Sequence, residues 1–190
     1  MDPRLLRRRL LTNLFGVHLP PRPTAALLNQ QPFFHGIPWT SLERLAVLAS
    51  YAHFGERELI FESGGHAEQF YVLLRGSVAL EAPSGSGDVA VVQSLEAGET
   101  LGWSWLFPPY RWSFSARALA SVDSLVLPGG ILRTRCEEDP VLAAAMMRRV
   151  AGVMLDRLQS TRRRLATMEK AAAGIPIRLN VSAGTGHAAT

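Results

Sequence analysis

Apolar residues fall at helical spacing before residue 50, at a spacing of two from Tyr51, and at helical spacing again after Asp139. Near the N-terminus Leu5, Leu6, Leu10, Leu11 and Leu14 lie opposite Arg4, Arg7, Arg8 and Arg9, the pattern of a short amphipathic helix. Pro20, Pro21 and Pro23 end it. Ala25–Asn29 has room for one more turn, and Phe33–Gly36 follows. The next helix is predicted over Thr40–Ala49, with Thr40 or Ser41 as cap, Glu43 in the first turn, and Leu42, Leu45, Ala46 and Leu48 facing inward.

Strands are predicted at Glu58–Glu62, Gln69–Arg75, Ser77–Ala82, Val89–Leu95, Arg111–Leu119 and Ser121–Leu127. Turn residues separate them: Ser63–Gly65, Gly76, Pro83–Asp88 with its tip at Ser84–Gly87, Ala97–Gly98 and Pro128–Gly130. Many short, closely spaced strands predict a mainly β fold, an antiparallel jelly-roll barrel. Asp139 then caps a long helix with Pro140 at its first position, running to the stop at Gly174-Ile175-Pro176. At about 1.5 Å per residue it is roughly 50 Å long, more than its own barrel covers. Met147, Ala151, Met154, Leu158, Thr161 and Leu165 step by four and three, a heptad seam that predicts pairing with another helix and a homodimer. Arg148, Arg149, Arg157 and Arg162–Arg164 lie mostly off that seam. The expected organisation is an N-terminal helical arm (1–50), a β-barrel (51–138), a dimerisation helix (139–174) and a tail (175–190), flexible or an edge strand.

Composition changes this picture little. The net charge of +4 is carried by arginine almost alone, Lys170 being the sole lysine. It leaves a weak tendency toward nucleic acid or anionic surfaces. Cys136 is the sole cysteine, so neither an internal disulfide nor a thiolate zinc site can form. There is no apolar run of membrane-spanning length and no secretory segment, and a cytoplasmic protein is expected. His18, His35, His53, His66 and His187 fit no metal spacing, and the predicted strands hold no histidine, which argues against a metal-dependent barrel enzyme. Cys136 stands among Glu137 and Glu138, which disfavours a reactive thiolate. No metal, no resident cofactor and no enzymatic activity are expected.

The densest chemistry is aromatic. Trp103, Trp105, Phe107, Tyr110, Trp112 and Phe114 fall within twelve residues, behind the turn glycines Gly98 and Gly102 and around Pro108-Pro109. Each ring has a large area to bury, so this stretch is a lid over the core or the wall of a pocket.

Gly65, Tyr71–Val78, Leu95–Gly102 with its Gly-Glu-x-x-Gly, Leu106-Phe107, Ser113 and Arg117-Ala118 form a set of corner, turn and strand residues spread along the barrel. On these residues the chain, over Tyr51–Leu165, resembles the cyclic-nucleotide-binding domain of the catabolite activator protein family. The resemblance implies a jelly roll and a phosphate-binding cassette at Gly98, Glu99, Gly102, Trp103, Ser104, Arg111, Trp112 and Ser113. In that family the cassette amides face a cyclic phosphate, an arginine pairs with it, and a glutamate accepts the ribose hydroxyl. Here the glutamate position holds Trp103 and the arginine position Trp112. Arg111 is adjacent, but neighbouring strand residues face opposite sides. An unpaired phosphate charge costs several kcal/mol, so ordinary cyclic-nucleotide binding is expected to be weak, altered or lost. Three readings stand: indoles that plug the pocket, a non-standard nucleotide site, or a site for another planar ligand.

The family's transcription factors continue into a helix-turn-helix domain. Ile175–Thr190 cannot supply one, so sequence-specific DNA binding is not expected. The expected function is a non-enzymatic sensor that signals through its dimer helix to a partner protein. The alternative is a structural adaptor with a plugged pocket and no small ligand.

Overall fold

The computed structural model describes residues 22–83 and 88–173. The expectations for the N-terminal arginine-rich helix, the hairpin tip, the helix stop at Gly174 and the tail lie outside the described residues. The chain divides into two compact units, 1–151 and 152–190.

The first unit opens with α1 (Ala25–Asn29), capped by the Thr24 hydroxyl, which accepts the Leu27 N–H. A 3-10 turn, Pro32–Phe34, and α2 (Trp39–Leu48) follow. Neither Thr40 nor Ser41 caps α2: it begins one residue earlier, behind Pro38, with no side-chain cap. Its inner face, including buried Leu42, Leu45 and Ala46, is the predicted one apart from half-buried Leu48.

Eight strands form two antiparallel sheets: β1 (Ser50–Phe54), β2 (Leu59–Phe61), β3 (Gln69–Arg75), β4 (Val78–Pro83), β5 (Val89–Leu95), β6 (Thr100–Leu101), β7 (Ser115–Ala118) and β8 (Val122–Pro128). The sheet orders are β1-β8-β3-β6 and β2-β7-β4-β5, the two walls of a jelly roll. β3 is buried on both faces, because one side meets the barrel interior while helices lie on the sheet's other side. Phe70, Val72, Leu73, Leu95, Leu101, Leu125 and Leu127 make the core.

Three expectations need correction. The strand predicted at Arg111–Leu119 is regular only over Ser115–Ala118, because its first part pairs with the irregular 64–67 turn: Trp112 N–H donates to the Gly65 carbonyl, and Gly64 N–H donates to that of Trp112. The glycines at 129 and 130 do not turn the chain. They open α3 (Gly129–Glu138), since Gly129 N–H is spent on the Glu68 carbonyl and Gly129 lies against Trp105. The strands do hold a histidine: His53 in β1 bonds Asp123 in β8 at 2.7 Å.

α4 runs over Pro140–Ala173. The Asp139 carboxylate caps it as predicted, accepting the N–H groups of Val141 and Leu142 at 3.0 Å each. In the first unit Leu142, Met146 and Val150 are buried, while Met147 and Ala151 of the seam are exposed. In the second unit the seam residues Met154, Leu158, Thr161 and Leu165 are exposed.

Candidate functional site

The site is built upward from the turn after β5. Glu96 N–H donates to the Glu99 carboxylate at 2.8 Å, so that carboxylate serves the turn itself. Gly98, with φ 89°, donates to the Leu73 carbonyl, and Leu73 N–H donates to the Glu99 carbonyl. These bonds fix the turn against β3 and lead into β6, which pairs with Tyr71 and Val72.

Gly102 comes next, with φ 86°, a region that disfavours any side chain. A Cβ there would stand 2.9 Å from the Gln69 carbonyl oxygen and about as close to Cζ3 and Cη2 of Trp112, at 3.0 and 3.1 Å. The glycine lets the Trp112 ring lie directly on the backbone. Trp112 also stacks on Phe61, with centroids 4.0 Å apart and planes 16° apart. Its Cδ1 edge faces Gly65. Trp112 is 6 % exposed. Phe61 in turn meets Tyr71, and Tyr71 meets Phe54, so the stack continues as an aromatic wall. Burial pushes the Tyr71 hydroxyl up, and it stays protonated across the physiological range.

The remaining cassette residues point elsewhere. Trp103 begins the 3-10 segment Trp103–Leu106; half-buried, it packs edge-on against Phe107 at 6.2 Å. Ser104 accepts the Phe107 N–H through its carbonyl. Ser113 is exposed, and its carbonyl accepts the Ser63 hydroxyl. Arg111 is exposed too, its guanidinium donating to the Gly64 carbonyl at 2.7 Å. The Arg111 and Trp112 side chains therefore diverge, one into the aromatic wall and one to the surface turn, as alternation along an extended segment requires. Of the eight cassette positions, the structure joins Gly102 to Trp112 at the centre and leaves Gly98 and Glu99 as the supporting turn.

Sequence reasoning missed the element that holds this segment in place. Trp105 is fully buried, edge-on to Phe70, with its Cβ against Gly129 at the start of α3. Arg133, one turn into α3, donates to the Trp105 carbonyl at 2.7 Å and lies 4.2 Å from the centre of the Tyr110 ring. Tyr110 takes a positive φ of 56° after the cis Pro108-Pro109 bond. Its N–H bonds the Phe107 carbonyl, and its own carbonyl accepts the Ala67 N–H. Phe61 was readable as an apolar strand position. Arg133 carries no signal when 128–130 reads as a turn.

Among the described residues no group of three or more His, Cys, Asp or Glu side chains is placed to hold a metal ion. Burial, then Asp139 and Glu137, raises the Cys136 thiol above its ordinary value, which keeps it a neutral, poor nucleophile. No helix among the described residues is long and apolar enough to cross a membrane.

Comparison with known proteins agrees with this geometry. Residues 51–139 match the family described as the cyclic nucleotide-binding domain. No curated protein matches. A protein from Geobacter metallireducens GS-15 described as cyclic nucleotide-binding is similar in structure, with 29 % identity, 70 % of this chain and 97 % of that chain covered, and a TM-score of 0.65. The N-terminal domain of a transcriptional regulator from Streptomyces coelicolor A3(2) is similar at 25 % identity, covering 68 % and 92 % of the two chains, TM-score 0.57. The regulatory subunit of a cAMP-independent protein kinase A from Trypanosoma cruzi, bound to guanosine, shares the fold at 22 % identity, covering 60 % and 45 %, TM-score 0.50. With the two-sheet jelly roll in place, residues 51–139 match the cyclic nucleotide-binding domain in sequence pattern and in fold.

Proposed function

We propose that this chain is a non-enzymatic, cytoplasmic regulatory domain whose cassette is closed against cyclic AMP and cyclic GMP by its own Trp112. The observation that carries this reading is the placement of Trp112. At the position where the family resemblance expects an arginine, a ring 6 % exposed lies against both Phe61 and the Gly102 backbone. A cyclic phosphate entering there must displace the ring from its stack and leave its own charge unpaired. The nearest arginine in sequence, Arg111, is committed to the surface turn. The trypanosomal relative of this fold binds a nucleoside, a ligand with no phosphate. A neutral planar ligand that takes the place of Trp112 on Phe61 is therefore the ligand class to screen. The output element is α4, whose seam pairs with another helix, in a second copy or in a partner protein, rather than by reading DNA sequence.

The second reading is a structural adaptor that binds nothing small. It is favoured by the same burial, since a ring so enclosed serves equally as permanent core.

The test is a double substitution. Trp112→Arg with Trp103→Glu restores the family's two polar anchors, and calorimetry is expected to show cyclic AMP binding at least about tenfold tighter than in the unaltered chain, a gain of about 1.4 kcal/mol. Unchanged affinity in a folded double variant contradicts the assignment of these positions.

A further inference from the structure

The backbone of β3 offers the cassette an acceptor that the cassette does not use. Successive residues of a strand turn their N–H and C=O groups to alternate neighbours. Leu73 turns its pair toward the Gly98 turn: its N–H donates to the Glu99 carbonyl, and its carbonyl accepts the Gly98 N–H. Tyr71 stands opposite Leu101 of β6, and Ala67 N–H donates to the Tyr110 carbonyl. Positions 67, 71 and 73 all face the cassette segment, so Gln69, between them, faces it too. The residue due opposite Gln69 is Trp103, which has left β6 for the 3-10 segment. Among the described residues, none of the N–H groups of 102–112 is spent on the Gln69 carbonyl. Its register partner in β8 is Pro128, which has no N–H to offer.

That carbonyl lies beside the Trp112 ring. The point where a Gly102 Cβ would stand is 2.9 Å from the Gln69 oxygen, 3.0 Å from Trp112 Cζ3 and 3.1 Å from its Cη2. The edge that Trp112 brings there is carbon and hydrogen alone. Its ring nitrogen is at the other end of the indole, where Cδ1 and Nε1 stand 3.4 and 4.0 Å from a Cβ placed on Gly65. Trp112 therefore fills the space without matching the acceptor, and a backbone carbonyl without a donor carries a cost. A ring that takes the same place keeps the Phe61 stack. It gains a hydrogen bond besides, provided it carries an N–H on the edge turned to Gly102. A ligand shifts an equilibrium only by its advantage in one state, and this bond is an advantage that the indole lacks. The way in is short, since Arg111 and Ser113 on either side of Trp112 are exposed.

We infer that the cassette takes an uncharged, flat heteroaromatic ligand of about indole size, which replaces Trp112 on Phe61 and donates a ring or amino N–H to the Gln69 carbonyl. This rests on the closed-cassette reading above and adds to it the donor edge that the ligand must carry.

The experiment uses the full chain with Trp112→Gly, which vacates the place of the ring, and two uncharged bicyclic probes of one shape. Indole carries an N–H where benzofuran carries an oxygen. Calorimetry is expected to show indole binding at least about tenfold tighter than benzofuran, about 1.4 kcal/mol. The carbonyl carbon resonance of Gln69 is expected to shift with indole and to stay in place with benzofuran. In the unaltered chain, where Trp112 competes for the place, indole at about 10 mM is expected to shift the same resonance. That measurement decides the matter should the substituted chain not fold. Equal affinity for the two probes overturns the inference, as does binding of neither to a folded Trp112→Gly chain. So does a Gln69 resonance that indole leaves unmoved. Failure of the closed-cassette reading shows elsewhere, as saturable cyclic AMP heat in the unaltered chain, and leaves the ratio of indole to benzofuran affinity untouched.

Discussion

At the scale of single residues, the proposed closure of the cassette rests on two positions. Gly102 gives the backbone a conformation and a clearance that no other residue supplies, and Trp112 fills that clearance. Both were legible: the glycine as a turn of unusual φ, the tryptophan as a misfit against a family pattern. What could not be read was that Trp103, the second misfit, packs on Phe107 instead of joining Trp112. One aromatic spacing is compatible with many ring directions, and only tertiary packing chooses among them. Asp139 is a residue whose part was read correctly. Its bonds to the Leu142 and Val141 N–H groups, the Ser41 hydroxyl and nearby Arg44 hold its carboxyl below the ordinary carboxylate value against a smaller opposing effect of burial. A carboxyl lowered in the folded state contributes stability that is fully present above its unfolded value, about 4, and is lost as pH falls through the lower folded value. Urea unfolding followed from pH 7 to pH 3 should therefore show a steeper loss of midpoint in the native chain than in Asp139→Asn. Parallel curves would contradict this assignment.

At the scale of elements, the periodicity that located β3 and β5 to the residue could not locate β6, which is two residues long, or the start of β7. Short strands are defined by their partners. β6 exists because the Gly98 turn docks on β3, and β7 begins late because Trp112 pairs with a loop. α3 was hidden for a related reason, since Gly129, a residue that ordinarily stops a helix, here serves close approach to Trp105. That helix matters because Arg133 ties it to both ends of the aromatic segment, through the Trp105 carbonyl and the Tyr110 ring. Replacing Arg133 with alanine removes a charged hydrogen bond and a cation–π contact at a half-buried site. The expected loss is about 1 to 2 kcal/mol in equilibrium unfolding. Amide exchange should rise over 103–110 more than over β3 or β8. Uniform acceleration across the barrel would mean that Arg133 supports the fold at large and not this link.

At the scale of the whole molecule, the fold class was readable because strand spacing, turn residues and the capped long helix all agree. The division of labour was less so. The seam on α4 is a matter of spacing, and its residues from Met154 to Leu165 are exposed. The barrel and the helix thus make separate claims, both proposed: a cassette closed by its own side chain, and an exposed seam on α4 as the output surface.

The first claim is the central one, and titration calorimetry of the unaltered full chain tests it most directly. Cyclic AMP and cyclic GMP, each carried to about 1 mM, are expected to give no saturable heat. A dissociation constant at or below about 10 μM, some 7 kcal/mol of binding, would contradict a cassette closed by Trp112.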